Sequence, residues 1–411
     1  MSELNYIDLF AGAGGLSEGF IKQDFKPVVH VEMNKDACET LKTRLAYHHL
    51  VNNNRMVHYD SYLKGGISRE DLWNSVPQRL MQSVINDEIS DNTIKTIFSN
   101  IDKQLCSKKV EVIIGGPPCQ AYSLVGRSRD PNGMKGDKRN FMFRYYVQFL
   151  LRYKPKYFVF ENVLGLLTAG NSKYLKEMLE LFSEAGYSAD YKVLNSEEFG
   201  VLQRRRRVII IGRRGKKKFV FPDLALFDNN YAIKKDLFFD LPALKSGQEI
   251  VNAKYIKPNN EYLKISNIRN GSDYVTQHIS RLHNDRDLEI YSIAIDKWVN
   301  YKKRLSYNDL PRRLQTHNNL ESFLDRYKVV DPIGHSHTIV AHISQDGHYY
   351  IYPDSNQVRS ISVREAARIQ SFPDDYFFEG GRTAVFKQIG NAVPPLMAEG
   401  IAKKIKEILW Q

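Results

Sequence analysis

At 411 residues the chain is two to three times the usual domain length, which excludes one small module and makes two packed domains the starting expectation. Hydrophobic residues at 42% and charged residues at 26%, with 21 Phe and 24 Tyr, exclude a disordered chain, and no stretch nears the roughly 20 apolar residues of a membrane span. Lys and Arg exceed Asp and Glu by 12, so the expected large partner is a polyanion, nucleic acid before an anionic membrane. The opening residues MSELNYIDLFAGAGG carry no basic leader, so the chain is expected to stay in the cytoplasm. Three cysteines, Cys38, Cys106 and Cys119, are an odd number without CxxC spacing; they fit a reducing compartment and give neither a disulfide framework nor a cysteine zinc site.

In chain order, short apolar runs predict buried strands over Tyr6 to Phe10, Pro27 to Val31, Val110 to Ile114, Tyr157 to Phe160 and Val208 to Ile211. Helix-like segments lie between them, among them Ala37 to Leu50, Phe141 to Tyr153 and Ser172 to Ala185. Strand and helix in alternation imply an α/β fold, a doubly wound and mostly parallel sheet. The polar stretch from about 60 to 109 reads as an insertion riding on that sheet. From 222 to 355 the beat is lost and a smaller, irregular domain is expected. Order returns in 356–411, where Val363 to Ser371 is helical in pattern and Met397, Ile401, Ile405 and Ile408 recur at helical spacing after Pro394-Pro395.

Ligands of an open parallel sheet bind beyond the carboxyl ends of its strands. The first strand is followed by Phe10-Ala11-Gly12-Ala13-Gly14-Gly15, a turn whose missing side chains admit a ligand to backbone N–H groups. The second is followed by Glu32, 22 positions after Phe10, where an acid receives ribose hydroxyls in nucleoside-binding sheets. Ser17 replaces the third Gly of the dinucleotide fingerprint, which argues against a nicotinamide cofactor. After the third strand comes Gly115-Gly116-Pro117-Pro118-Cys119-Gln120. A lone Cys is ordinarily a small buried hydrophobe, but two Gly and two Pro stiffen this loop as a nucleophile requires. Glu161-Asn162 end the fourth strand, where a partly desolvated carboxyl group could donate a proton; its bland role is to cap a helix. Residues 203–218 hold nine Lys or Arg and no acid, and strand alternation would send Arg205 and Arg207 to one side, towards one ligand. His335, His337, His342 and His348 have no Cys or paired acid with them, so polar or phosphate contact is expected there and no metal.

Taken together and in order, these motifs resemble the DNA (cytosine-5)-methyltransferases of prokaryotic restriction-modification systems, over nearly the whole chain. Asp8 to Gly15 resembles that family's S-adenosyl-L-methionine loop, Glu32 its ribose acid, Gly116 to Gln120 its catalytic loop, and Glu161-Asn162-Val163 its base-holding motif. Gln203 to Arg207 resemble its QxRxR motif, with Arg204 and Arg206 departing from it and expected to face phosphates. Arg364 to Arg368 with Phe372-Pro373, and Gln388 to Pro395, resemble its two last motifs, the final one returning to the cofactor domain. Its cofactor acid before the catalytic strand stays open between Asp60 and Asp87.

The resemblance implies residues 1–221 as a Rossmann-like catalytic domain and 222–355 as a target-recognition domain. Cys119, Glu161, Arg205 and Arg207 would do the chemistry. Phe10, Ala11, Gly12, Gly14, Gly15, Glu32, Asp60, Pro118, Asn391 and Ala392 would hold S-adenosyl-L-methionine, with no metal. Gln120, Ser123, Arg139, Gln203 and Thr338 would touch double-stranded DNA, Thr338 through a phosphate. The Cys119 thiolate would add to C6 of a cytosine flipped from the duplex, with Glu161 on N3 and the exocyclic amine. The expected enzyme is a cytoplasmic, nucleoid-associated monomer, working beside a restriction endonuclease. A tRNA cytosine-5 methyltransferase of the same fold and a non-catalytic DNA-binding relative are the competing readings. Transfer to DNA against tRNA separates the first, and the intact Cys119 and Glu161 count against the second.

Overall fold

The apolar runs form strands because they are rich in β-branched and aromatic residues, are bounded by turn residues, and are too short to make a stable helix. In the computed structural model, which describes residues 3–118, 141–227, 230–271, 273–316 and 320–410, the strands are β1 (Asn5–Leu9), β2 (Lys26–Glu32), β3 (Val84–Asn86), β4 (Val112–Gly115), β5 (Tyr157–Asn162), β6 (Tyr187–Asn195), β7 (Gln203–Arg204) and β8 (Arg206–Arg214). Seven of them make one sheet, ordered β3-β2-β1-β4-β5-β8-β6. It is parallel from β3 to β5, while β8 runs antiparallel to both β5 and β6. The fold is thus the expected doubly wound α/β sheet.

Helices α1 (Gly15–Lys22), α2 (Lys35–Asn52), α3 (Met56–Leu63), α4 (Arg69–Asn74), α5 (Gln78–Gln82) and α6 (Ile94–Leu105) alternate with the first strands. The stretch expected to be an insertion therefore supplies α4 to α6 and also an edge strand, β3, which pairs with β2. Side-chain alternation along the strands splits the core in two. Ile7, Leu9, Val31, Ile113, Phe158 and Phe160 pack against Phe143, Tyr146, Met178 and Phe182 of the helices Met142–Tyr153 and Lys173–Glu184. Tyr6, Val112, Ile114, Val159, Ile209 and Ile211 pack against Leu16 and Phe20 of α1 and against Met397, Ile401 and Ile405 of the last helix, Pro395–Leu409. Each such side chain, fully buried, contributes roughly 1.5–3 kcal/mol. The last helix presses so closely on α1 that a Cβ on Gly19 would lie 2.3 Å from the Glu399 nitrogen.

Between β8 and the C-terminal helices the chain forms two-residue ladders, short 3-10 turns and one long helix, Asp285–Tyr301, seated on its own small core of Ile290, Tyr291, Ile295, Tyr307, Tyr327 and Ile351. The earlier part of this region lacks a separate core: Ile233, Leu237, Tyr262 and Val275 share one cluster with Val363, Phe372, Phe386 and Ile389. Among the described residues no helix is long and apolar enough to cross a membrane.

Candidate active site

Strand register decides which residues meet. Leu9 stands opposite both Val31 and Gly115, and Gly115 opposite Phe160, so Phe10, Glu32, Gly116 and Glu161 leave the sheet along one carboxyl edge.

The turn after β1 bends through positive φ at Phe10 (56°), Gly12 (54°) and Gly14 (79°). At Gly14 a side chain is excluded twice, by conformation and because a Cβ would lie 2.8 Å from Leu41 and 2.9 Å from the Tyr376 hydroxyl. Several of its N–H groups shape the turn itself: Ala11 donates to the Val31 carbonyl (3.1 Å), Gly14 to the Ala11 carbonyl (3.0 Å), and Gly12 to the Glu32 carboxylate (2.8 Å). The other Glu32 oxygen accepts from the Asn34 nitrogen at 2.8 Å, so this acid is held at both ends yet stays half-exposed. Space is open where a Gly12 side chain would be. Beneath the turn Asp8 is buried with one carboxylate oxygen unpartnered among the described residues; burial, and secondarily the Glu32 charge, push its carboxyl well above the usual range.

The two candidate acids part company here. Asp60 sits on α3 and does not follow a strand, and its carboxylate accepts from the Tyr274 hydroxyl at 3.3 Å. Asp87 directly follows β3, and its nitrogen donates to the Glu32 carbonyl at 3.1 Å. Of the two, Asp87 is thus the one at a strand end beside Glu32, and its only sequence signal is the brief apolar pair Val84-Ile85 before it. From the far end of the chain Asn391 is exposed and Ala392 buried at the close of helix Arg382–Asn391. The segment reaches the Gly-rich turn through Ala392 and Val393, since a Cβ on Gly15 would lie 2.2 Å from the Val393 carbonyl and 3.2 Å from the Ala392 Cβ.

On the other half of the edge, the Glu161 carboxylate is ion-paired through Oε1 to Arg207 Nε at 2.8 Å. A carboxyl desolvated without a counter-charge is thus not what the structure shows. Its Oε2 lies over Gly116, where a Cβ would intrude to 2.6 Å, so glycine there leaves the acid its place. Pro118, half-buried, carries the loop onward, and Asn162 Nδ2 reaches the Pro117 carbonyl at 3.5 Å. Cys119, Gln120, Ser123 and Arg139 lie outside the described residues. Cys38 is buried, donates to the Glu32 carbonyl at 3.2 Å, and has its thiol pushed up to about 12 by burial, which leaves it inert as a nucleophile.

The family described as C-5 cytosine-specific DNA methylase matches residues 4–60 and 78–407. This chain belongs to that family. It is 42% identical to the type II methyltransferase M.Bpa9945I of Bacillus paralicheniformis, over 98% of each chain. It is 30% identical to M.DdeI of Desulfomicrobium norvegicum, over 98% of this chain and 88% of that one. In fold it is similar to a prophage-encoded E. coli protein assigned as a DNA modification methyltransferase, with a TM-score of 0.65 and 21% identity over all of both chains. It is a DNA cytosine-5 methyltransferase of the restriction-modification type.

Three of the expected site residues of the methylase are engaged in contacts within the chain. Arg205 falls in the break between β7 and β8, is fully buried, and donates to the Ile339 (2.5 Å) and Gly390 (3.1 Å) carbonyls. It ties the sheet to two distant segments and does not converge with Arg207 on a ligand, because strand alternation lapses at its position. Gln203 is fully buried as well; its amide bonds Gln370 (2.8 Å), the Ile369 carbonyl and the Ile339 nitrogen (2.7 Å), which leaves nothing for DNA. The Thr338 hydroxyl donates to the Arg204 carbonyl at 2.7 Å. Beside it, Ser336–His337 pairs in parallel with β7. The histidines scatter: His335 meets Glu197, His337 the Tyr349 carbonyl and His348 the Tyr291 hydroxyl, and no metal-competent cluster exists among the described residues.

One support of the methylase's site has no linear signature. Arg44 of α2 donates to Glu18 of α1 (2.9 Å) and to Asp375 (2.9 Å), with its guanidinium 3.9 Å from the Tyr47 ring centre. The neighbouring Tyr376 hydroxyl donates to the Ala13 carbonyl at 2.5 Å, which pins the Gly-rich turn from behind. The Arg44–Asp375 and Ala13–Tyr376 partners lie 331 and 363 positions apart in sequence.

Proposed function

We propose that this methyltransferase uses S-adenosyl-L-methionine to methylate C5 of a cytosine flipped out of a specific duplex sequence, through a covalent bond from Cys119 to C6. The observation that carries the reading is the single sheet edge on which the Gly-rich turn, Glu32, the Gly116–Pro118 segment and the Glu161–Arg207 pair emerge in register. The cofactor half fits the group: Glu32 offers carboxylate oxygens to a ribose, the gap at Gly12 admits a ligand, and the unpartnered Asp8 oxygen is a polar atom awaiting one. Phe10, Glu32, Asp87 and Asn391 would hold it. When bound, the cofactor supplies an electrophilic methyl group.

The residues of the chain then divide the work. Cys119, as thiolate, forms a bond to C6, which moves the electron pair of the C5–C6 double bond onto C5 and makes that carbon a nucleophile. Glu161, held by Arg207 through Oε1, keeps Oε2 free on the Gly116 side for N3 and the exocyclic amine of the base. After methyl transfer the C5 proton leaves to a base, its electrons restore the double bond, and the thiolate departs. The irregular region 222–355 would read the sequence, and a cognate endonuclease of the same specificity would be the functional partner. Cys119→Ala tests the reading: it should abolish both transfer and covalent trapping by DNA containing 5-fluorocytosine while cofactor binding persists. A trapped complex formed by that variant rules out the assignment.

A further inference from the structure

The edge of the sheet opposite the active site is strongly basic. Lys108 and Lys109 precede β4, Lys154 and Lys156 precede β5, and Arg214 ends the antiparallel β8 beside Tyr187, the first residue of β6. Topology alone therefore gathers these cations at the amino ends of the parallel strands. They line one open cavity of about 570 Å³, together with Arg152, Asp102 and Glu111.

The charges do not cancel. Arg152 takes up Asp102, and Lys108 is paired with Glu3 at 2.6 Å, so Lys109, Lys154, Lys156 and Arg214 face Glu111. The side chains of these four cations are exposed, whereas Glu111 is buried beneath them. The turn that follows β8 adds Lys216, Lys217 and Lys218, exposed as well. Nothing in the chemistry at the carboxyl edge uses any of them.

We propose that this amino-terminal edge is a second nucleic-acid surface, which holds the phosphate backbone of another duplex DNA segment without reading its sequence. The chemistry fits a backbone better than a folded acidic protein. The cations are long, solvent-exposed and spread around an open rim, and such an array recognises repeating phosphates with few shape requirements. β5 is six residues long, so the two edges lie roughly 20 Å apart and point in opposite directions. One straight duplex seated at the active site cannot cover both, and the contact joins two segments of DNA. Four neutralised phosphates imply a log–log salt slope near −3.6, or a loss of roughly two orders of magnitude in affinity between 50 and 200 mM salt.

Lysine footprinting on the unaltered protein tests this, with Lys35 and Lys176, both highly exposed and outside the patch, as references. The protein is acetylated briefly at 50 mM salt, alone, with a random-sequence 40-base-pair duplex, or with poly-glutamate of equal charge, and the modified sites are read by mass spectrometry. The duplex should slow acetylation of Lys154, Lys156 and Lys216 to Lys218 at least threefold relative to the references, and 200 mM salt should remove the effect. Equal rates with and without duplex overturn the proposal. Protection by poly-glutamate as strong as that by duplex also overturns it, in favour of an acidic protein surface.

Discussion

Replacing Arg205 with Met keeps most of its stem and volume but removes the guanidinium, leaving the carbonyls of Ile339 and Gly390 without the donor that now reaches both. A hydrogen bond to a charged group contributes about 1.5–3 kcal/mol, so two of them set an upper bound near 6 kcal/mol. Removing a buried cation also removes its desolvation penalty, which lowers the expected loss to about 2–4 kcal/mol. Arg207→Met breaks the Glu161 pair where both side chains are only 11% and 13% exposed, and by leaving that carboxylate without its partner should cost about 1–2 kcal/mol of stability, less than Arg205→Met. Its effect belongs to turnover, where losing one positioned donor typically lowers kcat by about 100- to 1000-fold. Urea denaturation and single-turnover methylation of both variants separate the roles. Arg205→Met should unfold at the lower urea of the two, and Arg207→Met closer to the wild-type midpoint but with little activity. An Arg205→Met protein with the wild-type midpoint and the kinetic defect of Arg207→Met would refute the argument that Arg205 is a tie between segments.

Glu32→Ala should weaken S-adenosyl-L-methionine binding by about 1.5–3 kcal/mol, through the lost ribose contact and the loosened Gly12 and Asn34 nitrogens, with little change in DNA affinity; calorimetry showing equal affinity contradicts this. Gly116→Ala places a methyl group 2.6 Å from Glu161 Oε2, so kcat should fall at least tenfold while cofactor affinity holds; unchanged turnover would mean that Oε2 does not work from that position. His278 and His283 are buried and held down to about 4, and His30 to about 3, mainly by burial. The unfolded chain binds their protons first, so stability is complete above pH 6.5 and falls as pH drops towards 4, by up to about 3 kcal/mol for each of the first two; a urea midpoint constant over that window refutes it. Exchanging 222–335 for the equivalent segment of a relative, with the Ser336–His337 pairing to β7 kept, should move methylation to that relative's sequence, as bisulfite sequencing would show.

The sheet was legible wherever a strand is buried on both faces, because Ile113, Phe158 or Ile210 leave no other use for such a run. β6 was not: its residues Asp190, Lys192 and their neighbours keep one side in water, so no apolar run marks it. β3 is three residues long, below any periodic signal, and with it went the placement of Asp87. Glu32, Glu161 and the Gly-rich turn could be located because they directly follow legible strands. Arg205 and Gln203 misled for the opposite reason. A polar residue in a motif looks the same whether it faces a ligand or two buried carbonyls, and only the return of Ile339, Ile369 and Gly390 from far along the chain distinguishes the cases.

The contact between α1 and the helix Pro395–Leu409 has a consequence for the time course of synthesis. The wall behind Gly15 is the Val393 carbonyl, and the support of Ala13 is Tyr376, so a nascent chain that has emerged only as far as β8 has its first strands and its Gly-rich turn but no completed pocket. Contacts spanning more than 360 positions are slow to form and cannot form before translation reaches them. Cofactor affinity should consequently appear late and abruptly, only once residues 376–409 have been made. A ribosome-bound fragment, or one clipped before Tyr376, would carry Cys119 and Glu161 yet leave DNA unmodified, which confines the modifying activity to chains that have folded this far.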